Sequence, residues 1–157
     1  MKEDALPVVI RLAERGDIGA IVALFADDSL GGHGDTTDET ARPNYETAFE
    51  AIAANPASHL YVAERAGQIV GTFQTTTIRG MSRRGASSLL LTAVQTRRDM
   101  RSKGIGRAMV HHAVDQARAC GAAAVQLMSN SLRVDAHRFY EREGFVKSHT
   151  GFKMKLR

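Results

Sequence analysis

The stretch "DMRSKGIGRAMVHHA", residues 99–113, sets a basic run and two glycines, Gly104 and Gly106, directly ahead of helical spacing. From Ile105 onward Met109, Val110, Ala113, Val114 and Ala117 fall on one face, with Arg107, His111, Asp115 and Arg118 opposite, which predicts an amphipathic helix. Upstream, "ASSLLLTAVQTRR" (86–98) reads as a strand, apolar enough at Leu89, Leu90 and Leu91 for the middle of a sheet. A strand, a short glycine loop and a helix aim unpaired N–H groups at the helix N-terminus, where the helix dipole adds partial positive charge. An anion such as a diphosphate is favoured there, and glycine lets its oxygens approach the main chain. Arg101, Lys103 and Arg107 add attraction. The junction reads as a phosphate cradle, although a turn requirement explains a lone Gly-x-Gly as readily.

Outward from this junction no repeat, low-complexity tract or linker divides the chain, so residues 1–157 are expected to form a single domain. "VVIRLA" (8–13) reads as a strand. Residues 16–28 read as a helix capped by Asp17, with Ile18, Ile21, Val22 and Phe25 on one face. The Gly-, Asp- and Thr-rich run 29–44 is expected to be an exposed loop, followed by a helix around 45–54. Residues 59–78 suggest two strands joined by a tight turn at Ala66-Gly67. A short strand (123–129), a helix (133–143) stopped by Gly144, and closing strands "FVKS" and "FKMKL" complete a mixed α/β sheet.

Several classes are excluded. The run lacks the Lys-Ser/Thr pair that a P-loop sets after its second glycine. It matches a dinucleotide fingerprint only in part, because Met109 stands where the third glycine belongs. A formal charge of +4 favours an anionic ligand, but tryptophan is absent and no basic stretch is interleaved with aromatics, so nucleic acid is not an expected partner. No apolar run is long enough for a bilayer, and the N-terminus lacks a signal peptide's apolar core. With Cys120 as the lone cysteine, the expectation is a cytoplasmic protein without a membrane partner. His111 and His112 are adjacent on a helix and point apart, so they read as a solvated pair and no metal is expected.

Read whole, Arg101-Ser102-Lys103-Gly104-Ile105-Gly106 matches the Arg/Gln-x-x-Gly-x-Gly/Ala signature of the GNAT superfamily of N-acetyltransferases. "DAHRFYEREGF" (135–145) resembles that family's second landmark, a helix carrying a tyrosine and ending in Gly-Phe. The order of elements is similar across essentially the whole chain. The resemblance implies a mixed, mostly antiparallel central sheet flanked by helices and splayed at a cofactor cleft. It implies acetyl-CoA as the phosphate-bearing ligand, its diphosphate held by Arg101, Ser102, Lys103, Gly104, Ile105, Gly106 and Arg107, mostly through main-chain N–H groups. Val94, Gln95 and Thr96 would pair with the pantetheine arm where the family's strand is bulged. Asn130 would contact the pantetheine amides, and Tyr140 would protonate the departing thiol. Relatives commonly dimerise, so a homodimer is within what the resemblance implies.

The expected chemistry is acetyl transfer to a primary amine of a small-molecule or peptide acceptor. A lysine-like amine, with a reference pKa of about 10.4, must lose a proton first. Many family members have a glutamate in this part of the central strand, where this chain has Thr92, so the base is unassigned. His33, Asp35 and Glu39 lie in the loop that the resemblance sets over the acceptor, yet a solvated loop is the simpler reading. Phe25 and Phe73 are candidates to line the cleft. Tyr140 has a plain alternative too, a buried ring whose hydroxyl bonds to a strand. The rival function is a non-catalytic acyl-CoA-binding sensor, which Thr92 favours and Tyr140 opposes.

Overall fold

The computed structural model describes residues 6–30 and 33–157. They fall into two compact units, one ending at Leu127 and the other beginning at Met128.

The first unit is built on a five-stranded sheet in the order β1-β2-β3-β4-β5. These are β1 (Val9–Leu12), β2 (Ser58–Arg65), β3 (Gln68–Ile78), β4 (Ser88–Thr96) and β5 (Ala124–Leu127). Helices α1 (Ile18–Ala26) and α2 (Arg42–Ala54) lie between β1 and β2 in the chain. A single turn, α3 (Ser82–Gly85), precedes β4, and α4 (Ile105–Ala119) connects β4 to β5. The first four strands pair antiparallel, whereas β4 and β5 are parallel. That is the outcome expected when a helix carries the chain across between two neighbouring strands. Ala66 and Gly67 both have positive φ, 53° and 73°, as the two-residue turn between β2 and β3 requires.

Packing of α4 follows the stripe read from its sequence: Ile105, Met109, Val110, Ala113 and Ala117 are buried. Gly71 on β3 is what lets the first turn of this helix approach. A Cβ there would stand 2.9 Å from Met109 Sδ and 3.1 Å from Ile105 Cγ2. At the other edge, Arg11 on β1 binds Asp17 at 2.7 Å and Glu64 on β2 at 3.1 Å. Its hydrogen bond holds the Asp17 carboxyl below the usual carboxylate range.

Four differences from the sequence reading have physical causes. Asp17 precedes α1 but makes no side-chain cap to it; its carboxylate is occupied by Arg11 and by the Glu14 N–H. Helix α2 starts at Arg42, since Pro43 fits a first helical turn. Phe73 is fully buried, stacked on Tyr61 at 4.9 Å, and lines no cleft. His112 is not solvated; its half-buried ring packs edge-on against Tyr61 at 4.9 Å and Phe73 at 6.0 Å.

In the second unit α5 (Val134–Arg142) ends in a Schellman motif. The Phe145 N–H donates to the Tyr140 carbonyl at 3.0 Å and the Gly144 N–H to Glu141 at 3.1 Å, with Gly144 at φ 96°. The Tyr140 and Phe145 rings meet at 5.7 Å, the apolar contact that accompanies such a cap. The strands expected at "FVKS" and "FKMKL" do not form: residues 145–157 carry no helix or strand. Alternation at Phe152, Met154 and Leu156 suits a strand, but a strand needs a ladder partner, and α5 is this unit's one regular element. Those three side chains and Val146 are exposed.

Burial lowers the His112 pKa, and its Nε2 has no hydrogen-bond partner. The unfolded chain, with a histidine pKa of about 6.5, takes up a proton that the folded chain resists, so stability is full above that value and falls as pH drops through it. Thermal melts between pH 8 and 5 should show this decline in the wild type and a shallower one in His112→Phe. Parallel declines would exclude the imidazole as its source.

Candidate active site

The pairing of β3 with β4 jumps from Thr72–Gln95 to Gln74–Thr92, so Phe73 alone faces Ala93 and Val94. This is a β-bulge, and Ala93 sits at φ 53°, a left-handed conformation costing a non-glycine residue about 1 kcal/mol. On the opposite edge the parallel ladder stops at Leu91–Leu127, while β4 continues to Thr96. Val94, Gln95 and Thr96 thus lie on the stretch of β4 beyond its last pairing with β5, half-buried rather than covered. The bulge expected at these residues is present, and β5 ends at Leu127, opposite Leu91.

After β4 the chain makes a tight connection. The Arg97 N–H donates to Val70 at 2.8 Å, and its guanidinium grips Asp99 and Gln68. Met100 is buried beneath the loop. Ser102 and Gly104 then take left-handed conformations, φ 61° and 84°, and Gly104 is the N-cap of α4. The Gly104 carbonyl accepts the Ala108 N–H at 3.1 Å, the first bond of the helix. The N–H groups of Gly104, Ile105 and Gly106 meet no acceptor among the described residues. Arg101, Ser102, Lys103, Gly104 and Arg107 are exposed, while Ile105 is an apolar anchor with its side chain buried. The structure therefore brings the basic run, the glycines and the open donors together at one helix start.

One participant escaped the sequence reading. Arg65, 8% exposed at the end of β2, donates through both terminal nitrogens to the Lys103 carbonyl at 3.3 Å. Its signal was available: Tyr61, Ala63 and Arg65 alternate along β2, which puts an arginine on a buried strand face.

The acceptor-side loop of the sequence reading divides between two cavities. One, of about 90 Å³, is lined by Phe25, Asp28, His33 and Asp35 among others. Gln95 on β4 donates to Asp28 at 2.9 Å, tying this cavity to the bulged strand. The other, of about 200 Å³, includes Glu39, Arg42 and Tyr45. The Tyr45 hydroxyl donates to Asp35 at 2.9 Å and accepts the Thr36 N–H, fixing the loop on α2. Thr92 is half-buried opposite Gln74.

Asn130 and Tyr140 lie in the second unit. The Asn130 side chain accepts the Leu132 N–H at 2.9 Å and its carbonyl accepts the Arg133 N–H, so it shapes the entry to α5. The half-buried Tyr140 ring packs between Phe139 and Phe145, and its hydroxyl has no partner among the described residues. Burial raises its pKa, so the phenol keeps its proton at neutral pH.

A family model described as the acetyltransferase (GNAT) family matches residues 18–145, spanning the bulge, the helix start and α5. The chain belongs to the GNAT acetyltransferase family. It is similar to an aminoalkylphosphonate N-acetyltransferase of Salmonella typhimurium, 29% identical over 156 residues, covering 99% of this chain and 96% of that one. A transcriptional regulator from Bacillus halodurans is similar in structure, with a TM-score of 0.91 at 34% identity over 96% of this chain and all of that one. A putative acetyltransferase from Agrobacterium tumefaciens gives a TM-score of 0.81 at 27% identity over 94% of this chain and 99% of its own. This GNAT protein is an acyltransferase built on an open, five-stranded sheet.

A carboxylate beside the open donors of α4 should repel a diphosphate. Gly106→Glu is therefore expected to weaken CoA binding at least about tenfold by calorimetry. Unchanged affinity in a folded variant would remove the cradle.

Proposed function

We propose that this GNAT protein transfers an acetyl group from acetyl-CoA to a primary amine of a small molecule. The observation that carries the reading is the set of open N–H donors at the start of α4, directly after a strand that bulges and runs on past the end of its parallel neighbour. Donors of this kind suit a diphosphate, and the freed edge of β4 at Val94, Gln95 and Thr96 suits the amides of a pantetheine arm. Arg101, Ser102, Lys103 and Arg107 add charge and polar contacts around the diphosphate, and Asn130 is proposed as a partner of the pantetheine amides.

In the proposed reaction the neutral amine nitrogen forms a bond to the thioester carbonyl carbon as the carbon–sulfur bond breaks. The amine gives up a proton and the sulfur leaves as a thiol. A main-chain N–H near Val94 is assigned to the negative charge developing on the thioester oxygen. Such a donor contributes roughly 2.7–4 kcal/mol in other enzymes. Tyr140 is assigned to the thiol: its proton is held at neutral pH and its hydroxyl is not otherwise engaged. Holding both reactants in one cleft contributes as much as any single acid or base.

The acceptor is proposed to present its ammonium to the cavity of Asp28 and Asp35, whose carboxylates attract a cation. The aminoalkylphosphonate acceptor of the Salmonella relative supports a small amine. Thr92 supplies no carboxylate, and this favours the rival reading, an acyl-CoA sensor without turnover.

Acetyl-CoA offered with a panel of amines (an aminoalkylphosphonate, an aminoglycoside, a polyamine, amino acids) should release free thiol and N-acetylated product in equal amounts. Binding of CoA with no thiol release on any amine would leave the sensor. Tyr140→Phe should lower the acyl-transfer rate by roughly 10²-fold with CoA affinity intact. A wild-type rate in that variant would remove the proton-donor role.

A further inference from the structure

A guanidinium cannot shed its charge, so a buried arginine is ordinarily paired with a carboxylate. Arg65 is more than nine-tenths buried, yet its partner is a single neutral carbonyl, that of Lys103. Its Nε is fully enclosed without any partner, and no carboxylate reaches it among the described residues. A buried cation left in this state is costly to the free protein, and it lies directly behind the loop that opens α4.

The same contact sets the direction of a donor. In a trans peptide the C=O and N–H point to opposite sides. Drawing the Lys103 carbonyl inward onto Arg65 therefore turns the Gly104 N–H outward, and Gly104 is exposed there at φ 84°. Only a residue free of Cβ strain follows that turn without cost. Two effects coincide: the carbonyl is fixed, and a positive charge stands behind the amide that faces the ligand.

We propose that Arg65 is the positioning residue of the diphosphate cradle, and that the bound diphosphate is the counter-anion its buried charge lacks. The proposal rests on the acyl-CoA reading above and extends it to a residue 38 positions upstream of Lys103. The ligand chemistry it specifies is a diphosphate diester, with pantetheine alone gaining nothing from Arg65.

The test compares wild type, Arg65→Met and Arg65→Lys by calorimetry with CoA and with pantetheine, by thermal melting, and by steady-state kinetics. Arg65→Met should weaken CoA at least about tenfold and leave pantetheine unchanged. Its KM for acetyl-CoA should rise in step while kcat and the KM of the amine hold within about twofold. Arg65→Lys, which keeps the charge but not the fork of donors, should recover part of the loss. Removing an unpaired buried charge should leave the melting temperature without ligand equal or higher, whereas CoA should raise the wild-type melting point more than that of Arg65→Met. Equal CoA affinity in wild type and Arg65→Met, or equal losses for CoA and pantetheine, would overturn the proposal. Should Arg65→Met not fold, Arg65→Gln, which also removes the charge, carries the same comparison, and wild-type affinity of that variant for CoA would overturn the proposal. Wild-type protein that binds no CoA at all would instead overturn the acyl-CoA reading.

Discussion

Helix α4 seats closely on the sheet at its start because Gly71 on β3 has no side chain to hold it off. Ile105 and Met109, the first two buried residues of the helix, occupy the space that a Cβ at Gly71 would enter. Close approach at this point fixes the first turn against the sheet, and with it the open N–H groups that precede hydrogen bonding within the helix. A looser seat would move those donors relative to β4, whose last residues share the same corner of the molecule. The chemistry assigned to this GNAT acyltransferase depends first on how closely a helix and a strand can pack.

Around that contact the polar machinery is assembled from elements far apart in the chain. Arg65 comes from the end of β2, held there by the two-residue turn at Ala66 and Gly67. Arg97 closes onto Val70, Gln68 and Asp99, keeping the connection short. Gln95 reaches Asp28 at the end of α1 and so joins the bulged strand to a carboxylate-lined cavity. Each link places a charged or polar group where burial by itself would not put it, and the sheet supplies the rigidity.

Much of this was legible in the residues because the signals were local. The stripe from Ile105 to Ala117 gave α4, Ala66-Gly67 gave the hairpin, and Gly144 gave the end of α5. The open donors at the start of α4 were legible because a glycine pair before a helix has few uses other than a turn or an anion. What stayed hidden was set by partners distant in sequence. Asp17 looks like a helix cap until Arg11 claims its carboxylate. His112 looks solvated until β2 and β3 bring Tyr61 and Phe73 against it. The tail 152–156 has the alternation of a strand, but alternation specifies faces and not a neighbour to pair with. Arg65 carried a local signal of burial in its alternation with Tyr61 and Ala63, but none of its partner, a backbone atom 38 residues on.

The bulge at Ala93 and Val94 divides β4 by parity. Before it, Leu89 and Leu91 point into the core; after it, the count of residues per pleat is shifted by one, and Gln95 and Thr96 meet the half-open edge. One strand thereby serves as hydrophobic filling along its first half and as a polar rail along its second. Deleting either residue of the bulge would restore a regular ladder with Gln95 still opposite Thr72, and would return to that ladder the main-chain groups the bulge sets free, with no side chain chemically altered.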